Sequence, residues 1–241
     1  MLENVIREVA IKEVNNIPEK VQEKKAILHS QFSTEKKSID GLFLRGKDLS
    51  VNNSFEGIEK KRLSFEEVKE YFSKEGPYLR SMEERKIQAL KGEGEWFEEE
   101  SSLIFIPSSE KARSELKESG IEGIIYDKYA EPYFEKVSKV TVQIENMTSE
   151  RYGPGGNFEK ANKNCAEKWN EEGFEDKYDW IARDVEKWRN DPEHRYTWHE
   201  RSDMKTMDLV PNETHDKCKH YGGCAECKAR DGLLGGNKYD N

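Results

Sequence analysis

Apolar residues near the amino terminus recur at helical spacing. Ile6, Val9, Ala10 and Val14 fall on one face and predict a surface or pairing helix. A second helix is announced at Ser64-Phe65-Glu66-Glu67, where a hydroxyl followed three residues later by Glu is the capping-box pattern. Val68, Tyr71 and Phe72 then share a face. Residues 1–100 read as a mostly helical, polar delivery or packing region. The pattern changes near Ser102. Leu103-Ile104-Phe105-Ile106 predicts a short strand, and Ser109 caps a helix through Leu116 that stops at Gly120. Ile124-Ile125-Tyr126 and the alternating Val140, Val142 and Ile144 predict two further strands, so residues 101–150 read as a small α+β adaptor.

The turn-rich run Tyr152-Gly153-Pro154-Gly155-Gly156 marks the expected boundary of a last domain, residues 151–241. Asn157 is expected as an N-cap, followed by an apolar stripe of Phe158, Ala161, Cys165 and Trp169. The next helix is expected from about Asp179, with Tyr178, Ile181, Val185 and Trp188 inward, and it ends before Asn190-Asp191-Pro192. Tyr196 to Glu200 predicts a strand, Arg201 to Lys205 a turn, and Thr206 to Val210 a returning strand. Pro211 sits where a helix begins, since its missing N–H is not needed there. That helix carries His215 and is expected to stop around Gly222-Gly223, residues suited to a C-terminal cap. The fold class is α+β, ending in a strand–turn–strand–helix unit.

Composition narrows the function classes. Hydrophobic residues make up 34% and charged residues 37%, which leaves a modest core and a heavily solvated surface. The net charge is -9, and the last 91 residues carry 16 Lys+Arg against 19 Asp+Glu. This balance argues against a protein that holds nucleic acid by its overall field alone; a nuclease would have to recruit phosphate through a metal ion and a local cluster. No apolar run approaches the roughly 18–20 residues that span a bilayer. Met1-Leu2-Glu3-Asn4 begins neither a basic nor an apolar leader, so no signal peptide is read and export is expected by a specialised route or from a larger precursor. Four cysteines (Cys165, Cys218, Cys224, Cys227) are too few and too clustered for a disulfide scaffold, and the stripe places Cys165 in the core.

Candidate chemistry concentrates in one stretch. Four of the five histidines, His194, His199, His215 and His220, lie there, whereas His29 stands alone and reads as a surface residue. A hairpin with one histidine on its first strand and another on the following helix can aim several ligands at one divalent ion. Phosphodiester hydrolysis needs a deprotonated water, neutralised phosphoryl charge and a stabilised leaving alkoxide. A metal ion with a neutral imidazole can supply these near neutral pH. Neighbours on a strand face opposite ways, so His199 and Glu200 reach one ion only if the strand ends or bulges there. Glu200 is open between a ligand or activating carboxylate and a solvated strand-end charge. His220 lies about 140° round a helix from His215 and turns inward only if the helix unwinds before Gly222. His194 fits a loop residue or a phosphate contact. Cys218, His220, Cys224 and Cys227 could instead build a closed zinc site, which would make this a non-catalytic zinc-stabilised binding module.

Several separated motifs share one order. Tyr-Thr-Trp-His-Glu (196–200), Met-Lys-Thr-Met-Asp-Leu-Val-Pro (204–211), His215 and His220-Tyr-Gly-Gly (220–223) resemble the WHH-type branch of the HNH/endonuclease VII superfamily. That branch supplies C-terminal nuclease domains to bacterial polymorphic toxins, colicin-like and contact-dependent ones included. Gly156-Asn157-Phe158, Asp179-Trp180 and Asp184 to Trp188 are similar to its lead-in helices, and the likeness covers roughly residues 120–228. It implies a ββα-metal fold and a metal-dependent endonuclease, on DNA ahead of RNA, with a tRNA-type RNase as the alternative on the same fold. It also implies a cognate immunity protein and action in the cytoplasm of a target cell. His199 matches the family's leading histidine, which implies a general base, with metal ligation as the alternative. Glu200 stands where many relatives have a second histidine, and His215 and His220 are the implied ligands. Thr214 departs from the family, where an aliphatic residue usually precedes the helix histidine. Imidazoles suit zinc or nickel, and a carboxylate-assisted site magnesium or manganese.

Overall fold

A computed structural model describes residues 60–234 of the chain. The stripe from Ile6 to Val14, and His29, lie outside these described residues. Within them the chain is mixed α+β, with seven α-helices and two small antiparallel sheets.

Helix α1 (Phe65–Tyr71) opens with the reciprocal bonds expected of Ser64 and Glu67, and α2 (Met82–Ala89) repeats them with Ser81 and Glu84. The same stretch also contains strands, β1 (Lys61–Leu63) and β2 (Gly94–Glu99), where the sequence pattern suggested helix. Glu95, Glu98 and Glu99 favour a helix locally. Trp96, however, packs across the hairpin on Phe105 (centroids 4.7 Å), and such cross-strand pairs override propensity. Glu100 and Ser101 join β2 to β3 (Ser102–Pro107) with both φ angles positive (47° and 65°), as a two-residue hairpin turn of the twisted kind requires. Helix α3 (Glu110–Glu118) starts at the Ser109 cap, and Gly120 follows it at φ 73°. Strand β4 (Ile124–Tyr126) completes a sheet of order β1-β2-β3-β4.

The second sheet is built from β5 (Thr141–Gln143), β6 (Tyr196–Glu200) and β7 (Thr206–Pro211), in the order β5-β7-β6. Helix α4 (Asn157–Glu172) buries the expected stripe of Phe158, Ala161, Cys165 and Trp169. Helix α5 (Ala182–Asn190) buries Val185 and Trp188, but Tyr178 and Ile181 are 71% and 58% exposed. Both residues precede the first turn of the helix, so its period does not apply to them. Left-handed Glu175 and Asp176 turn the chain there, and Trp180 takes the inward place. Helices α6 (Asn212–Lys217) and α7 (Gly223–Leu234) complete the described chain.

Two cores meet at the β6–β7 hairpin. Trp198, Met207 and Leu209 pack with Trp169 and Trp188, whereas Val210 belongs with Trp96, Phe105, Tyr126 and Phe134. Strand alternation therefore gives the hairpin two covered faces.

Candidate metal centre

The turn after β6 is held by Asp203, whose carboxylate accepts from the Lys205 and Thr206 amides (3.0 and 2.8 Å) and from the Thr206 hydroxyl (2.6 Å). In the resulting register His199 lies directly opposite Asp208. Asp208 is fully buried and bound by both Nε and Nη2 of Arg201 (2.6 and 2.8 Å) and by the Thr141 hydroxyl (2.6 Å). Helix α6 follows β7 at once. Pro211 provides it with no side-chain cap, and Glu115 of α3 does so from outside, accepting from both N and Oγ1 of Thr214 (2.8 Å each). A threonine can therefore stand before His215: it is fully buried but satisfied.

The helix ends at Lys217, which frees the chain to fold His220 back. Its Nδ1 donates to the Cys218 carbonyl oxygen at 2.7 Å. Three imidazoles thus converge. Ring centroids are 5.5 Å apart for His199–His215, 4.8 Å for His199–His220 and 5.3 Å for His215–His220. One nitrogen from each ring can be chosen so that all three lie within 4.8 Å of one another. Phe134, from the segment between β4 and β5, contacts all three rings (4.8, 5.6 and 5.7 Å). His199 is buried, and the other two are half-buried.

Protons can be placed from the bonds. A carbonyl only accepts, so His220 carries its hydrogen on Nδ1 and presents a bare Nε2. His199 Nδ1 lies 3.1 Å away and donates to it. That leaves His199 Nε2 as a bare acceptor, buried and without a partner. Burial first, then mutual repulsion and the nearby Arg201 and Arg151, holds His199 well below the usual histidine range. Burial, with His220 and then Arg151 adding to it, lowers His215 to about 3. Burial lowers His220 to about 4. All three are neutral near pH 7, the form in which imidazole binds a metal. Neutral, convergent rings with an orphaned buried nitrogen fit a divalent cation.

Glu200 is not part of this cluster. It shares the Trp198 face of β6, where Arg151 Nε donates to one carboxylate oxygen (2.6 Å) and Asn157 Nδ2 to the other (2.7 Å). It is 3% exposed, so it is not a solvated strand end either. The helix cap expected at Asn157 is Gly156 instead, and Asn157 has another job. Fully buried, it exchanges bonds with the Thr148 backbone (3.0 and 2.8 Å) while holding Glu200. Arg151 and Phe134 lie in no motif that spacing would flag; Asp208 and Asn157 fall within the quoted motifs, but the sequence assigns Asp208 no role and Asn157 only that of a cap.

Gly222 and Gly223 do not cap α6, which ends earlier. A Cβ on Gly222 would meet the Glu200 carbonyl oxygen at 2.3 Å, and one on Gly223 the Arg201 carbonyl oxygen at 2.5 Å. They are glycines because the chain passes flat against the end of β6. The Cys₃His arrangement does not form: among the described residues only His199, His215 and His220 come to ligand distance. Cys224 and Cys227 donate instead to the carbonyls of Ser149 and Met147, and burial raises the Cys218, Cys224 and Cys227 thiols. His194 stands apart, stacked on Trp188 at 4.0 Å.

A protein family described as the DNase/tRNase domain of colicin-like bacteriocin matches residues 124–222, from the first residue of β4 to just beyond His220. The match supports a colicin-like nuclease domain of the toxin type in this stretch, for which nucleic acid is the substrate. Neither a curated protein nor a solved structure matches the chain. Among the described residues no helix is long and apolar enough to cross a membrane.

Proposed function

We propose that this chain is a divalent-metal-dependent endonuclease of the HNH type, the toxic part of a bacterial competition system, acting on DNA or, on the same fold, on RNA. The observation that carries the reading is the convergence of His199, His215 and His220, one nitrogen of each within 4.8 Å of the others, together with the buried and unbonded His199 Nε2. These three would hold the cation, and an all-imidazole set favours zinc or nickel over magnesium. When bound, the ion supplies charge neutralisation at the phosphoryl oxygens and the leaving alkoxide.

The chain's own groups do the rest. His220 is oriented by the Cys218 carbonyl, and His199 by β6 and Phe134. Arg151, with 43% of its side chain exposed, has its Nε fixed by Glu200, and its positive charge helps keep all three imidazoles neutral. Its part-exposed guanidinium would clamp a phosphate oxygen. Glu200 is then a positioning residue for Arg151, and Asn157 fixes Glu200. For His199 the general-base role remains the alternative to ligation. A cognate immunity protein and delivery into a competing cell by a specialised system belong to the same proposal.

The test is cleavage of plasmid DNA and total RNA by the full chain with magnesium, manganese, nickel or zinc, and with a chelator. His215→Ala and His220→Ala should abolish cleavage, and Arg151→Ala should lower it by on the order of a hundredfold. Metal titration of His199→Ala separates the two roles: weakened binding marks a ligand, and retained binding without cleavage marks a base. No cleavage of either nucleic acid with any of these metals would refute the nuclease.

A further inference from the structure

Arg151 is followed by an aromatic ring standing in solvent. Tyr152 is 71% exposed, and among the large apolar side chains described as exposed it alone adjoins a residue of the site. The ring is not adrift. It leans on Phe158 with centroids 5.0 Å apart and planes at 64°. The backbone beneath it is pinned by the start of α4, where the amides of Asn157 and Phe158 donate to the carbonyls of Glu150 and Arg151 (3.0 Å each). Gly156 closes the loop so tightly that a Cβ there would lie 2.7 Å from the Tyr152 carbonyl oxygen.

A charge lies beside the same ring pair. The Arg189 guanidinium is 5.2 Å from the Phe158 ring and the residue is 7% exposed. Its Nε has no partner, its Nη1 donates only to the neutral Asn190 side chain, and no carboxylate forms an ion pair with it among the described residues. A buried guanidinium with no direct ion pair, balanced only at a distance by Glu186, makes its surroundings attractive to an anion. Tyr152 thus stands between two arginines, its neighbour Arg151, held by Glu200 at the end of β6, and Arg189 beside its supporting ring.

We infer that Tyr152 is a stacking platform for an unpaired base beside the phosphate at the metal centre, with the Arg189 charge drawing in the phosphates that flank that nucleotide. The inference rests on the nuclease reading and adds a substrate class to it: single-stranded or locally unpaired nucleic acid. A duplex keeps its bases stacked on one another and is held through its phosphates, for which a chain of net charge -9 is poorly suited. Stacking on an exposed ring is available only to a base outside a helix, and it does not depend on net charge.

Fluorescence anisotropy of the full chain in chelator, so that nothing is cleaved, tests this. The probes are a short labelled strand of DNA or RNA, the same strand annealed to its complement, and an abasic strand of equal length. The single strand should bind more tightly than the duplex. Tyr152→Ala should weaken single-strand binding about tenfold and leave the duplex unaffected, while Tyr152→Trp restores it. The abasic strand should not distinguish wild type from Tyr152→Ala. The better-bound of the two single strands names the sugar. Equal binding of single strand and duplex, insensitivity to Tyr152→Ala, or no binding at all overturns the platform. The nuclease reading fails separately: single strands bound through Tyr152 but never cut would refute it and leave the platform standing.

Discussion

A methyl group on residue 222 would lie 2.3 Å from the Glu200 carbonyl oxygen and 3.6 Å from His199 Cε1. Backbone on one side and a packed ring on the other leave it nowhere to go. Gly222→Ala should therefore displace the segment after His220, costing about 1–3 kcal/mol and weakening metal binding. A thermal melt read alongside a metal titration checks both, and unchanged affinity would contradict the close approach. At this scale the histidines were legible, because imidazoles gathered on a hairpin and a helix can be seen in one dimension. Glu200 was half legible. Strand alternation separates it from His199, but the Arg151 that claims its carboxylate lies 49 positions away and no spacing rule points to it. Phe134 gave no signal, since its role comes from what surrounds it.

Helix α6 has only six residues, too few to persist alone, and it lacks a cap of its own. Glu115, on α3, is what ends the competition for its first turn. Burial raises the Glu115 carboxyl, and the two Thr214 donors work against that shift. Glu115→Ala would leave a buried amide and hydroxyl unpaired, a loss of about 1–3 kcal/mol by denaturant titration. His215 should lose metal affinity with it, whereas Glu118→Ala on the same helix should change neither. The elements themselves were largely readable: α3, α4, β6, β7 and the helix after Pro211 follow from caps, periods and turns. Strand β2 was not, because its glutamates favour helix and only the Trp96–Phe105 pairing across the hairpin decides otherwise. The inward reading of Tyr178 and Ile181 failed because a period says nothing about where a helix begins.

Across the whole described chain, one guanidinium ties distant parts together. Arg85 on α2 is fully buried and lies over the Tyr78 ring at 3.9 Å. It donates to the Tyr129 carbonyl (2.9 Å), to Glu226 on α7 (2.9 Å) and to Ser202 after β6 (3.1 Å). Arg85→Ala should cost about 3–5 kcal/mol, because it strands the buried Glu226 carboxylate. Arg62→Ala, at an exposed pair, should cost about 1 kcal/mol or less. Equal melting temperatures for the two variants would show that the strut carries no weight. None of this was visible beforehand: an arginine and a glutamate 141 residues apart look like ordinary surface charges.

Arg85 and Glu226 lie on opposite sides of the stretch that matches the colicin-like family, so their pairing works as a clasp closed around it. A chain drawn by its carboxyl end through a narrow passage would surrender α7 and this clasp first, and His220 would follow before the hairpin opened. Threading from that end would thus disarm the protein early, and on the far side the clasp would be among the last parts to close.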